Sequence, residues 1–160
     1  QMIELHGQVH DPATALVYVQ AAAALAGTIG FAILFGVPRR EYLSTGIVGA
    51  AGWTIYTVLS GFEGILAVEI TFLTSVLVAI FSRIAAKMRK CPVTVYLICG
   101  LFPLIPGAGV FWTTYYITTS RLRAALEPGL TAISVTLAIV LAVVIVSGFQ
   151  KVSKLFKPHA

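Results

Sequence analysis

The chain alternates long apolar runs with short breaks marked by charges, glycine or proline, the pattern of membrane-spanning helices. The first run extends from Pro12 to Pro38 without a charge. Asp11 suits the N-cap, Pro12 fits the first turn, and Gly36 and Pro38 end the helix. Ala22, Ala26 and Gly30 recur every fourth residue, a stripe on which another helix can pack closely. A second span, from about Leu43 to Phe62, carries Gly46, Gly49, Ala50, Ala51 and Gly52 ahead of Trp53 and Tyr56. The third is bounded by Glu69 and Arg83, with only 13 residues between them (Ile70–Ser82), and reaches residue 86 if Arg83 snorkels to the headgroups. Pro92–Ser120 is uncharged but interrupted by Pro103-Leu104-Ile105-Pro106-Gly107-Ala108-Gly109. The last run, Pro128 to Gln150, is rich in Val and Ile, yet an unpaired strand has no place in lipid, so a helix is predicted there too. The expected fold is an all-α integral membrane protein, one polytopic domain over residues 1–160. Its five transmembrane helices fall at about 12–37, 43–62, 66–86, 92–118 and 129–149, the fourth broken at the Pro/Gly motif.

Composition agrees with the pattern. Only 11% of the 160 residues are charged against 58% hydrophobic, and mean hydropathy is +0.93. Soluble domains carry about a quarter charged residues, so the bilayer is the expected solvent. A disordered chain, a nucleic-acid-binding domain and a disulfide scaffold are excluded. Gln1 in place of an initiator Met suggests a processed or trimmed start, and no signal-peptide pattern precedes residue 12. Five crossings place Arg121 and Arg123 on one side. The other side receives Arg39, Arg40, Arg83, Lys87, Arg89, Lys90, Lys151, Lys154 and Lys157, a split of 2 against 9. The positive-inside rule then puts the N-terminus outside and the C-terminus in the cytoplasm. A re-entrant fourth run changes the split only to 3 against 8. A stretch of 29 uncharged residues more naturally crosses once, with a break. The net charge of +5 thus reports orientation and contact with anionic lipid.

The break is the most informative segment. Pro103 and Pro106 lack the amide hydrogen and crowd the carbonyls of Cys99 and Phe102. Pro106 lies 14 residues past Pro92, ~21 Å along a helix, so the break falls within the hydrocarbon. Backbone freed there has to be satisfied by protein or by a wet cavity, as at the broken helices where transporters hold solute. The competing reading is a kink that serves packing alone. Thr113 and the hydroxyls after it (Thr114, Tyr115, Tyr116, Thr118, Thr119) could line a polar route, although Trp112 and the tyrosines equally suit an interfacial aromatic belt. Glu69 lies ~26 Å along a helix from residue 86, near the opposite interface or just inside it. An intramembrane carboxylate there would be a coupling or substrate site, whereas Glu63 reads as a solvated turn residue. Pro103, Pro106, Gly107, Gly109, Thr113 and Glu69 are therefore the candidate solute pathway. His6, His10 and Asp11 are too few for a metal site. Cys91 and Cys99 read as unpaired thiols, no catalytic set can assemble, and no cofactor is implied.

Three stretches together resemble the small membrane-subunit module of the threonine/serine exporter (ThrE) family. They are Phe31-Ala32-Ile33-Leu34-Phe35-Gly36-Val37-Pro38 with the glycine-rich span ending near Trp53, then Phe72-Leu73-Thr74-Ser75 leading to Arg83, then Phe102-Pro103-Leu104-Ile105-Pro106-Gly107-Ala108-Gly109. The likeness covers about residues 15–150. It implies a bacterial inner-membrane protein that works with a larger membrane subunit to export small polar metabolites, threonine and serine foremost, with succinate in a two-component version. Pro103, Pro106, Gly107 and Gly109 carry over by motif, whereas Glu69 stands on physical grounds alone. A non-transporting assembly or scaffold subunit, a passive channel and a homo-oligomer remain as alternatives.

Overall fold

Backbone amides in an apolar solvent must be bonded within their own segment, and the apolar runs of this chain are accordingly helical. A computed structural model describes residues 12–62 and 64–155, with no strand among them. The helices are α1 (Pro12–Leu34), α2 (Tyr42–Leu59), α3 (Ala67–Arg89), α4 (Val93–Leu101), α5 (Gly107–Thr118) and α6 (Leu122–Leu155). His6, His10, Asp11, Glu63 and Lys157 lie outside the described residues.

The ends follow local chemistry. α1 stops before Gly36, whose φ of +67° is open to glycine at little cost. A single 3-10 turn, Arg39–Glu41, then leads into α2. α3 ends at Lys90 in a left-handed conformation (φ 54°), with Pro92 two residues on. α6 begins earlier than the apolar run suggests. Leu122–Glu127 are good helix formers, and Pro128, the seventh residue of α6, removes only one backbone bond.

Leu16–Leu34, Ala67–Arg89 and Leu122–Gly148 are each long and apolar enough to cross a membrane. The pair Val93–Leu104 and Gly107–Thr118, bent by 55°, makes a fourth if it counts as one span. α2 is ~27 Å long at 18 residues, but seven of these are Gly, Ser or Thr, which lowers its hydropathy. Length and hydropathy therefore give three or four crossings where five were expected.

The most extensive packing joins α1 to α2, α3 to α6 and α5 to α6, with α3 also against α4 and α2 against both α3 and α4. Glycine makes the close seams. Gly46 and Gly49 of α2 meet Ile29 and Thr28 of α1, Gly52 meets Val78 of α3, and Gly100 of α4 meets Val48 and Val78. The Ala22–Ala26–Gly30 stripe, by contrast, is exposed, and nothing lies within 4 Å of where a Cβ on Gly30 would sit. Among the described residues, no helix of this chain covers it.

Polarity runs inside out relative to a soluble protein. Buried residues include Thr28, Glu41, Thr45, Thr71, Thr74, Ser75 and Ser82, whereas Leu137, Val140, Leu141 and Val144 of α6 are exposed. An apolar exterior of that extent marks a lipid or partner surface. Near the end of α3, Arg83 donates to the Ser147 hydroxyl of α6 and to the Ala79 carbonyl, both at 2.8 Å.

Candidate functional site

The break is built residue by residue. α4 gives way to a 3-10 turn, Phe102–Leu104, with Pro103 at its start. Ile105 then turns extended (ψ 130°), and Pro106 (φ −76°, ψ 59°) precedes the first residue of α5. Part of the freed backbone is recovered locally: the Ile105 amide donates to the Phe102 carbonyl at 3.2 Å and the Gly107 amide to the Ile105 carbonyl at 2.7 Å. Phe102 also stacks on Phe31 of α1, so the joint lies against the first helix.

A groove of about 390 Å³ runs beside the joint, lined in part by Gln20, Gly27, Thr28, Phe31, Trp53 and Pro103. That volume suits a small solute. Its polar groups are few. Gln20 accepts from the Thr57 hydroxyl across α1 and α2 at 3.3 Å, and Thr28 donates to its own helix at Ala24. Gly27 keeps one wall open, since nothing stands within 4 Å of a Cβ there.

Of the six residues singled out in the sequence, Pro103 lines this groove. Pro106 sets the entry to α5, and Gly107 starts that helix with open space around its missing side chain. Gly109 and Thr113 face α6 instead. A Cβ on Gly109 would come within 3.1 Å of Ala132, and Thr113 packs on Gly129 while donating to the Gly109 carbonyl at 2.7 Å. Glu69 sits in the first turn of α3, exposed, and accepts from the Leu66 amide at 3.3 Å, a bond that satisfies one of the helix's unpaired donors. The six do not converge on one point. Phe111, Trp112, Tyr115 and Tyr116 form a run of ring contacts along α5.

Sequence reasoning missed Glu41. This carboxylate is 2% exposed. It accepts from Tyr96 Oη at 2.6 Å and Arg89 Nε at 3.0 Å, and pairs with Arg40 Nε at 3.3 Å. Arg89 also donates to the Arg40 carbonyl at 2.8 Å. The hydrogen bonds from Tyr96 and Arg89 hold the Glu41 carboxyl below the usual carboxylate range. The group pins the α1–α2 turn to the end of α3 and the start of α4. The only sequence signal was an acid next to two arginines at the mouth of a span. Cys91 and Cys99 are free thiols, and no three His, Cys, Asp or Glu side chains come together among the described residues.

Residues 20–149 match the family model described as Threonine/Serine exporter, ThrE. No curated protein and no solved structure matches the chain. The match takes in the glycine-faced α2, all of α3 and the whole broken segment. This apolar helical chain belongs to the threonine/serine exporter family, a family of transporters.

Proposed function

We propose that the chain is one subunit of a bacterial inner-membrane secondary exporter of small polar metabolites, threonine and serine foremost, acting with a larger membrane subunit. What supports this reading is the 55° bend between α4 and α5 in an exporter-family chain, with Pro103 between them lining a solute-sized groove. In this reading α2 and the bent α4–α5 pair both cross, giving five spans with the N-terminus outside and the C-terminus cytoplasmic. The N-terminal amides of α5 carry the positive end of a half-helix dipole, which suits a carboxylate, the group common to amino acids and dicarboxylates. The exposed Ala22–Ala26–Gly30 stripe is the face for the larger subunit, because small residues admit a close helix. Glu69 stands as the candidate for proton coupling, and Gly107, Gly109, Pro106 and Thr113 as the walls of the route beyond the groove.

A specific feature favours the scaffold alternative as the second reading: Gly109, Thr113 and Gly129 form a tight α5–α6 seam that serves packing by itself. Reconstitution in proteoliposomes separates the two. The chain co-purified with its larger membrane partner is loaded with labelled L-threonine, L-serine or succinate, and efflux is compared with that from each subunit alone. Threonine or serine efflux that needs both subunits supports the exporter reading. Full efflux from the larger subunit alone contradicts it and favours a scaffold, and succinate efflux in place of amino-acid efflux reassigns the substrate.

A further inference from the structure

The buried face of α3 holds all four of its serines and threonines beside Ile70, Val78, Ala79 and Ala86. Thr74, Ser75 and Ser82 are each 0% exposed and Thr71 is 1% exposed. With Val78 they recur at three- and four-residue spacings, which places them on a single face. Val78 stands at the middle of that face, which packs on α6 as well, Ile139 bordering the cluster around it. Val78 lies against Gly52 of α2 and Gly100 of α4, and it shares a core cluster with Val48 and Leu104, the last residue of the turn at the break. Thr74 and Ser75 thus stand one turn before this apolar cluster and Ser82 one turn after it.

Helical Ser and Thr commonly donate to the carbonyl four residues back, and Thr28, Thr54, Thr57, Thr71, Thr113 and Thr136 do so here. The hydroxyls of Thr74, Ser75 and Ser82 have no hydrogen-bond partner among the described residues. Three unpaired hydroxyls on one fully buried face, centred on the point where a broken helix touches it, are poor building material for a permanent seal. They are well suited to a surface that is uncovered in turn.

We propose that this hydroxyl face of α3 is the wall of the solute path opposite the broken helix, with Val48, Val78 and Leu104 as the apolar plug between its two halves. The proposal rests on the exporter reading and deepens it. When the segment hinges between Pro103 and Pro106, Leu104 leaves Val78 and the hydroxyls come into contact with solute. A hydroxyl both donates and accepts, so this wall pairs with the ammonium, carboxylate or hydroxyl of a small zwitterion. It needs no fixed charge, and none of its residues carries one.

Cysteine accessibility tests this without presupposing the substrate. In the full chain carrying Cys91→Ser and Cys99→Ala, Ser75→Cys, Ser82→Cys and Ala32→Cys are introduced singly. Membrane vesicles are treated with a small hydrophilic thiol reagent, and folding is checked by monodisperse elution in detergent. Ala32 is equally buried at 0% but lies on α1 in the cluster with Val37 and Cys99. The expected result is modification of Ser75→Cys and Ser82→Cys at least about tenfold faster than Ala32→Cys, through transient opening, and slower modification with L-serine present. Equal rates at all three positions overturn the proposal. Fast modification that neither L-serine, L-threonine nor succinate slows upholds a hydrated wall and counts against the exporter reading instead. Thr74→Val, which removes the hydroxyl at constant shape, should lower efflux without lowering yield; unchanged efflux removes Thr74 from the wall.

Discussion

Glu41 shows what a single side chain decides. Its two oxygens gather Arg40, Arg89 and Tyr96 from three elements at the basic end of the molecule. Because these partners hold the folded carboxyl below its unfolded value, the ionised form contributes stability above that value and the contribution fades as pH falls through the lower, folded one. On this group's account, thermal midpoints in detergent are flat between about pH 5 and 8 and fall only under more acidic conditions. Tyr96→Phe removes a charge-assisted donor at a fully buried site and should cost about 1–2 kcal/mol. Glu41→Gln should lower the midpoint at neutral pH by several degrees and flatten the acid-side decline; an unchanged midpoint in both variants contradicts the role assigned to the cluster. The residue was illegible in the sequence because its partners lie 48 and 55 positions away. Arg39 and Arg40 could be read as topology signals from position alone, whereas their acidic neighbour acquires meaning only through tertiary contact.

At the scale of elements, the existence of the apolar helices was legible and their mutual contacts were not. Twenty apolar residues in a row announce a helix whatever surrounds them, and residues 102–106, with two prolines, separate α4 from α5. Which glycine stripe would be used was another matter. Both Ala22–Ala26–Gly30 and Gly46–Gly49–Gly52 fit a close-packing surface, yet only the second is buried in this chain. Substitution separates them. Gly49→Ala places a methyl against Thr28, itself 0% exposed, and overpacking of that kind costs about 1–3 kcal/mol, more than the gain in helix propensity of up to ~1 kcal/mol. Gly30→Ala meets nothing within 4 Å and should leave the isolated chain as stable or slightly more so. Denaturation of the two purified variants checks the pair, and the opposite ranking refutes the packing described for α2. The fate of Glu69 belongs to this scale as well: its place three residues into α3 makes it a partner for its own helix start, a role set by a helix boundary that hydropathy located only to within a few residues.

For the whole molecule, the low charge content already required a membrane, and the structure adds the arrangement that makes a membrane protein work. Many serines and threonines turn inward, many leucines and valines turn outward, and α4 and α5 meet at a 55° bend beside a groove and a hydroxyl-bearing helix face. In the proposed reading solute passes at that junction rather than at any one motif, and the six residues chosen from sequence scatter across three surfaces. The central claim is that solute passes at the junction, and it is tested most directly by filling the groove. Gly27→Leu places a bulky side chain in that groove where nothing crowds a Cβ, so folding should be spared. In proteoliposomes with the larger subunit, the account predicts that Gly27→Leu lowers threonine or serine efflux by roughly tenfold, equivalent to ~1.4 kcal/mol, at unchanged yield. Efflux equal to that of the unmodified chain would contradict it.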